Sequence, residues 1–469
     1  MELWAAWYRS VCFLRPACRR TRTFLWLILA LAGMCCRLDL AGVTSFVRVL
    51  DLKPKAYFCL LHLFHSKALD LELLTQCWVR LTLKLFHPCE AGGRIVCLAD
   101  GIKAAKEGKK MPGVKLCHQE SANNTKPEWI MGHSNQAISL LVHGPTGQVA
   151  AVPLVNRIHE GLVYTNRDHR TLLDKLVAMF LDISRIWDRK LLLVADAYYA
   201  SQSVIKPLMK KGHHLVSRFK SNAVAYRLPD QPTQRKRGRP RTYGEKVFLK
   251  ELAKDPRGFI SAPSPVYGET DVMITYRCLD LLWRPVGHLV RFVIVHHPNR
   301  GTIFLLCTDL DLEPLEIVQL YGYRFKIECG FRQAVHVLGT FQYHFWMQGM
   351  KPIKWGDGKQ YFHRASKEYR EAIRRKVGAY HAHLQIGCIA QGLLLHLALN
   401  HTAAVWTNFR SWLRTMNTQL PPSELVVAHA LRSGLPGFFA SGGPGPEMEK
   451  FLDAYAMPSL RMDCSNPAA

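Results

Sequence analysis

Three side chains that could take part in catalysis lie close together in the sequence YGYRFKIECGFRQAVHVLG, residues 321–339. A helical spacing of about 100° per residue places Tyr321, Arg324 and Glu328 along one side of a predicted helix, beside an apolar stripe. A phenol, a guanidinium and a carboxylate next to a buried face could orient or neutralise a reacting group. An amphipathic helix with i, i+4 partners would show the same pattern, so this segment alone does not decide between the two interpretations.

Two short apolar segments each lead into an aspartate. RIVCLAD ends in Asp100 and KLLLVAD ends in Asp196. Each segment predicts a strand buried on both faces, followed at once by a turn or a helix, so each aspartate is predicted at the carboxyl end of its strand. Open α/β sheets have their functional sites at that edge, although an aspartate there is also common as a helix cap or turn residue.

Asp100, Asp196 and Glu328 are therefore a candidate carboxylate cluster. Three carboxylates within a few ångströms would repel one another unless a cation lay between them. A ligand set of hard oxygens, without Cys or His, favours Mg²⁺ or Mn²⁺, and a pair of such ions is suited to displacement at a phosphodiester.

These residues resemble the DDE transposases of bacterial insertion sequences, specifically the insertion-sequence-four type. Asp100, Asp196 and Glu328 occur in the family's order, and Tyr321 and Arg324 complete its Tyr-(2)-Arg-(3)-Glu spacing. The resemblance covers roughly residues 40–400. It implies that the three acids hold two Mg²⁺ ions, for which Mn²⁺ would substitute, that Arg324 neutralises phosphate charge, and that Tyr321 orients a backbone oxygen or braces Glu328.

One position departs from the pattern of that family. Its signature continues with a lysine, thought to contact DNA near the cut, where this chain has Val335. Arg332 is the nearest substitute, since it lies within about 40° of Glu328 on the helical wheel and could contact a phosphate from the same face.

The expected fold class is α/β: an RNase H-like catalytic core, interrupted by a β-rich insertion, with helical N- and C-terminal flanks. The expected domains are a helical region at 1–90 that could bind DNA, the first part of the core at 91–226, the insertion at 227–316, the second part of the core with C-terminal helices at 317–400, and a helical or flexible tail at 401–469. Strand-like runs such as HLVRFVIVHH support the β-rich insertion.

The charge of the chain predicts a nucleic-acid partner. It has 62 Lys plus Arg against 36 Asp plus Glu, a formal charge of +26. The segment RKRGRPR resembles the core of an AT-hook, although a solvated linker would look the same. Basic runs also follow both aspartates, and those after Asp100 include Lys103, Lys106, Lys109, Lys110 and Lys115. The predicted DNA-binding residues are Arg235, Lys236, Arg237, Arg239, Arg241, Lys210, Lys211, Lys220 and Arg332.

Nothing else in the sequence competes strongly with a DNA-acting protein. The apolar run Phe24 to Cys36 is too short to span a bilayer, and a buried helix is favoured over a signal peptide. Leu384 to Leu399 is the other apolar stretch of interest. The 14 cysteines show no C-x-x-C pair, which favours reduced thiols in a cytoplasm. We therefore expect a cytoplasmic, nucleoid-associated protein without membrane contact.

The predicted function is cleavage of double-stranded DNA at transposon ends and strand transfer into target DNA, with a homodimer expected in the DNA-bound complex. Two other classes stay open at this point. One is an inactive or repurposed transposase-derived DNA-binding protein, which the departure at Val335 makes credible, and the other is an RNase H-like DNA nuclease without strand transfer. A membrane-tethered protein is a weaker third option.

Overall fold

The computed structural model describes residues 2–119, 127–229, 241–266, 268–412, 416–440 and 445–457. The chain divides into two compact units. The helix-rich unit comprises Met1–His87, Gly101–His169 and Glu328–Ala469, and the sheet unit comprises Pro88–Asp100 and Arg170–Ile327. The architecture is mixed α/β, as the sequence predicts.

The helices within the described residues are α1 (Glu2–Cys12), α2 (Thr21–Cys36), α3 (Val43–Val49), α4 (Ala56–His65), α5 (Leu71–Leu85), α6 (Leu172–Trp187), α7 (Gln202–Lys210), α8 (Leu249–Leu252), α9 (Pro314–Tyr323), α10 (Phe325–His336), α11 (Lys367–Asn400), α12 (Thr402–Asn408), α13 (Glu424–Ala440) and α14 (Pro446–Tyr455). The strands are β1 (His87–Pro88), β2 (Glu90–Ala91), β3 (Arg94–Ala105), β4 (Lys115–His118), β5 (Trp129–His143), β6 (Val149–Ile158), β7 (Leu162–Val163), β8 (Leu191–Ala195), β9 (His214–Arg218), β10 (Val224–Tyr226), β11 (Lys246–Phe248), β12 (Ile260–Pro263), β13 (Met273–Trp283), β14 (His288–His297), β15 (Gly301–Cys307) and β16 (Gln360–Tyr361).

The sheet unit is built on three parallel strands. The first part of β3 pairs with β8, and β8 pairs with β9, both in parallel. The strands β15, β14 and β13 then continue the sheet in antiparallel order. Helix α7 connects β8 to β9, and both α7 and α9 pack on β9. Every residue of β8 is buried, which explains why this strand is apolar throughout rather than alternating.

The segment predicted as a β-rich insertion contains the strands β11 to β15. Antiparallel hairpins join β13, β14 and β15, and their apolar residues account for the strand-like runs in the sequence.

The long helix α11 is the central element of the helix-rich unit. This helix packs against β6 and against α2, α4 and α5. The N-terminal region contains α1 to α5, and its helices are interrupted near Pro54 and Ser66. The apolar run in α2 is buried from Phe24 to Cys36 and forms a core helix, as the sequence favours.

Within the described residues, only α11 is long and apolar enough to cross a membrane, and 94% of its most apolar stretch is buried inside the protein. Burial to this extent is expected of the core helix of a globular protein. The described cysteines form no disulfide.

Two local expectations are wrong. The segment 321–339 is not one helix, because α9 ends at Tyr323 and α10 begins at Phe325. At this junction Arg324 and Ile327 donate to carbonyl oxygens three residues earlier, which tightens the turn. Strand β3 does not end at Asp100 but continues to Ala105.

Candidate active site

The pairing of β3 with β8 brings two of the predicted catalytic acids together. Ala99 and Ala195 are the last paired residues of these two strands. Asp100 and Asp196 are the residues that directly follow them. Neighbouring strands lie about 4.8 Å apart. Two carboxylates that are separated by almost a hundred positions in the sequence therefore lie at the same edge of the sheet.

The backbone around Asp196 is fixed by hydrogen bonds. Its side-chain Oδ1 accepts from the backbone N–H of Tyr198 at 2.9 Å and thereby caps a short 3₁₀ turn, Ala197–Tyr199. The hydroxyl of Ser217, on β9, donates to the backbone carbonyl of Asp196 at 2.7 Å. Asp196 thus has the capping role that the sequence allows, and this role holds its carboxylate at the strand end.

Asp100 forms an ion pair with Arg324. Nη1 of Arg324 donates to Oδ2 of Asp100 at 2.9 Å, and the two side chains are only 19% and 18% exposed. Arg324 directly follows α9, and its partner lies 224 residues earlier in the chain. A charge-assisted hydrogen bond at this degree of burial is stronger than one at the surface and compensates the charge of Asp100.

Tyr321 belongs to the same cluster. Burial raises the pKa of its phenol above the usual value, while the guanidinium groups of Arg324 and Arg218 act to lower that pKa and the Asp196 carboxylate acts to raise it. The phenol also shares a hydrogen bond with Arg324. The structure therefore groups Tyr321 and Arg324 with the two aspartates.

Ser217 and Arg218 also lie at this site. The sequence places Arg218 in the basic run after Asp196, but it assigns no role to Ser217. They lie at the carboxyl end of β9, where Ser217 pairs with Ala195, one residue before Asp196. The signal in the sequence was the strand HLVSR itself, but its position beside β8 follows from sheet pairing rather than from any local motif. Arg218 is exposed and adds a second positive charge at this edge.

The basic run after Asp196 is divided between two edges of the sheet. Arg218 is the last residue of β9 and Lys220 follows it, so both lie at the edge that carries Asp196. Lys210 and Lys211 end α7, before β9 begins, and therefore lie at the opposite edge. The five residues of β9 span about 16 Å at about 3.3 Å per residue. All four side chains are exposed.

Glu328 lies in the first turn of α10. It is the first residue of Glu328–Ala469, the last segment of the helix-rich unit. Its side chain is partly buried, and Arg332 on the same helix is exposed. Val335, at the position of the family's lysine, is also on α10 and partly buried.

The predicted AT-hook residues Arg235, Lys236, Arg237 and Arg239 lie outside the described residues, and Arg241 is exposed.

The lysines that follow Asp100 do not form one exposed basic run. Lys106 is buried, donates to the carbonyl oxygens of Phe341 and Tyr343, and lies 3.7 Å from the centre of the Tyr343 ring. Lys115 is paired with Glu160 at 3.0 Å. The expectation that this whole run contacts phosphates is therefore wrong for Lys106, because a buried ammonium cannot reach a ligand in solvent.

The donor set at the strand ends suits a hard divalent cation. Asp100 and Asp196 directly follow the last paired residues of two neighbouring strands, and both offer carboxylate oxygens, the donors that Mg²⁺ and Mn²⁺ prefer. In the described part of the chain, no three His, Cys, Asp or Glu side chains are close enough together to hold a metal ion. The pair of aspartates is thus the part of a metal site that the sheet unit itself provides.

A family model described as a transposase DDE domain matches residues 92–340, which is more than half of the chain. The chain belongs to this DDE transposase family. No match was found among curated proteins. The matched region contains both aspartates, Tyr321, Arg324 and Glu328. DDE transposases act on DNA and generally use divalent metal ions, so the basic charge and the paired carboxylates of this transposase agree with its family.

Proposed function

We propose that this transposase cleaves DNA at transposon ends and transfers the strands into target DNA, with Asp100, Asp196 and Glu328 as the catalytic acids. The observation that supports this most directly is the parallel register of β3 and β8, which places Asp100 beside Asp196 at one sheet edge. Open α/β sheets bind their ligands at that edge. Glu328 is the third acid of the proposal because of its place in the Tyr-(2)-Arg-(3)-Glu spacing.

Asp100, Asp196 and Glu328 would hold two Mg²⁺ ions, with Mn²⁺ as a substitute. When bound, such ions activate the attacking water or 3′-hydroxyl and stabilise the leaving oxygen. Both cleavage and strand transfer are displacements at a phosphodiester, so the same acids can serve both reactions.

The two arginines and the tyrosine at the site have distinct roles in this proposal. Arg324 holds the Asp100 carboxylate in a fixed orientation at 2.9 Å and can also neutralise phosphate charge. Tyr321 orients Arg324 and a DNA backbone oxygen. Arg332, exposed on α10, takes the place of the family's lysine and contacts a phosphate.

The proposed partner is double-stranded DNA, bound as transposon ends and as target, with a homodimer as the DNA-bound form. Phosphate contacts are assigned to Lys210, Lys211, Lys220 and Arg241 among the described residues, and to the AT-hook segment. A cytoplasmic, nucleoid-associated location follows from a DNA substrate. The five-domain division given by the sequence, with an RNase H-like core and an inserted β domain, is part of this proposal.

A second candidate function is DNA binding without cleavage. The valine at position 335 favours it, because an apolar side chain there cannot replace a lysine that contacts DNA near the cut. A nuclease that cuts without joining is the remaining alternative.

The test uses purified protein, a supercoiled donor plasmid carrying the element's own flanking repeats, and Mg²⁺ or Mn²⁺. Joined products identify a transposase, nicks that do not depend on the repeats identify a nuclease, and a salt-sensitive shift without cleavage identifies a binder. We expect joined products from the wild type.

The decisive variant is Asp196→Asn, which removes the charge but keeps a good capping side chain, so that the fold is retained. We expect it to lose cleavage. The matched control is Asp188→Asn, at an exposed position with φ of 51° after α6, where asparagine is well tolerated. Full cleavage by Asp196→Asn would remove the proposed site.

A further inference from the structure

The helix-rich unit contains an apolar cavity that the proposed function does not use. Its volume is about 380 Å³, within the range of small-ligand sites. The apolar part of its lining is formed by Val114, Trp129, Ile130, Met131, Ile353 and Trp355. None of the predicted catalytic residues lines it, and of the lysines in the basic run after Asp100 only Lys106 and Lys109 do.

Two tryptophans of this lining are exposed to solvent. Trp355 is 71% exposed and Trp129 is 44% exposed. Large exposed apolar side chains that line the same cavity are a common mark of a binding site, whereas single ones are not. Trp129 begins β5, and the ring of His118, on β4, packs edge-on against it at 4.8 Å.

The turn that carries Trp355 is fixed by hydrogen bonds on both sides. Ile353 N donates to the carbonyl oxygen of Lys109 at 2.7 Å, and Leu116 N donates to that of Asp357 at 2.8 Å. Within the turn, Asp357 N donates to the carbonyl of Lys354 at 3.2 Å, and Gly356 has a φ of +91° that favours glycine. Trp355 is therefore presented at the tip of an ordered turn, which lowers the entropy cost of binding against its ring.

Positive charge surrounds the aromatic surface. Three lysines line the cavity, namely Lys106, Lys109 and Lys354, against a single carboxylate, Glu107. Lys106 is occupied by two backbone carbonyls, but Lys109 and Lys354 are exposed. The site thus combines flat apolar rings with cations at its rim. Its ligand should have a flat aromatic part attached to an anion.

We propose that this cavity binds an unpaired base of single-stranded DNA, with the base stacked on Trp355 or Trp129 and the adjoining phosphates near Lys109 and Lys354. Aromatic rings combined with basic side chains are how proteins bind single strands without reading sequence. A duplex keeps its bases stacked on one another, so only an unpaired base can present its face to a tryptophan. The proposal goes beyond the carboxylate site and relies only on DNA being the family's substrate.

The test compares two fluorescent oligonucleotides of equal length, an oligothymidylate and its abasic counterpart, by anisotropy titration of the full-length protein without metal. Both carry the same phosphates, so their difference isolates base stacking. We expect the wild type to bind the oligothymidylate roughly 10-fold or more tightly than the abasic strand. Trp355→Ala should lose most of this difference and bind the abasic strand as the wild type does.

Three further variants make the result specific. Trp412→Ala removes a tryptophan that is 78% exposed elsewhere and should keep the base preference. Trp355→Phe should retain part of it, because a smaller ring still stacks. Lys109→Ala should weaken binding of both strands by a similar factor.

Equal affinity of the wild type for both strands, or an undiminished preference in both Trp355→Ala and Trp129→Ala, would overturn the proposal. The Asp196→Asn protein separates this outcome from failure of the proposed function. A base preference retained by that variant supports the cavity as a site of its own, whatever its cleavage activity.

Discussion

At the scale of single residues, the surroundings of Lys106 show how burial changes a lysine. Burial lowers the pKa of its ammonium to about 7. The carbonyl oxygens of Phe341 and Tyr343 and the ring of Tyr343 favour the charged form and limit that change. Burial lowers the pKa of the His133 imidazole, and the nearby charge of Lys106 lowers it further. Nδ1 of His133 shares a hydrogen bond with the Tyr343 hydroxyl at 2.7 Å.

This burial gives a pH dependence whose sign follows from proton linkage. Between pH 7 and about 10 the unfolded chain keeps a proton on Lys106 that the folded chain has lost, so the stability of the wild type relative to Lys106→Met should rise with pH. Three pH units at about 1.4 kcal/mol each set an upper limit of about 4 kcal/mol. Urea unfolding under reducing conditions at pH 7 and pH 9.5 measures the difference.

The control is Lys109→Met, which alters an exposed lysine three positions away. Its stability relative to the wild type should be the same at both pH values. A pH-independent difference for Lys106→Met as well would contradict the assigned pKa.

The residues of the candidate site differ in how far the sequence could predict them. Asp100 and Asp196 were predictable, because each follows a fully apolar run that only a buried strand explains. Ser217 and Arg218 were not, since nothing local in HLVSR shows that β9 lies beside β8. The Asp100–Arg324 pair was not predictable either, because its partners are 224 residues apart.

At the scale of elements, helix α11 contains two glycines in opposite surroundings. A Cβ on Gly392 would lie 2.2 Å from the ring of Trp78, which is fully buried and held by its hydrogen bond to the carbonyl of Pro153. A Cβ on Gly378 would meet nothing within 4 Å. Gly392 allows the close approach of α5 to α11, whereas Gly378 only weakens the helix.

We therefore expect opposite effects from the same substitution at the two positions. Gly392→Ala should lower the free energy of unfolding by about 1–3 kcal/mol through overpacking. Gly378→Ala should raise it by up to about 1 kcal/mol through helix propensity. Chemical denaturation of both variants provides the measurement, and destabilisation of similar size at both sites would show that the contact with Trp78 is not what matters.

The elements themselves were largely predictable, and their junctions were not. Periodicity and apolar runs identify the N-terminal helices, the strands β13 to β15 and α11. The break between α9 and α10 escaped the analysis because Arg324 keeps helical angles, φ −51° and ψ −36°, and only the hydrogen-bonding pattern changes there. The continuation of β3 past Asp100 was missed because Gly101 is usually a turn signal.

At the scale of the whole molecule, the formal charge of +26 must be assigned to surfaces before it explains DNA binding. Ion pairs and burial remove some lysines from consideration, as they do for Lys115 and Lys106. Within the sheet unit, four of the exposed cations that follow Asp196 form two pairs. Arg218 and Lys220 lie at the edge of Asp196, and Lys210 and Lys211 lie at the opposite edge. Both pairs can contact phosphates, but only the first lies beside a proposed catalytic acid.

This arrangement predicts that the two pairs differ in cleavage and not in salt dependence. Each lost phosphate contact should reduce the slope of log affinity against log salt by about 0.9, so Lys210→Ala/Lys211→Ala and Arg218→Ala/Lys220→Ala should both flatten it by about 2. At saturating DNA, the first double variant should cleave as the wild type does, because its lysines serve binding alone. The second should cleave more slowly even when DNA is saturating, since Arg218 lies beside the proposed reacting groups.

Titrations between 50 and 200 mM salt, followed by single-turnover cleavage, measure both quantities. Equal cleavage by the two variants at saturation would mean that the edge bearing Asp196 is not where DNA is cut.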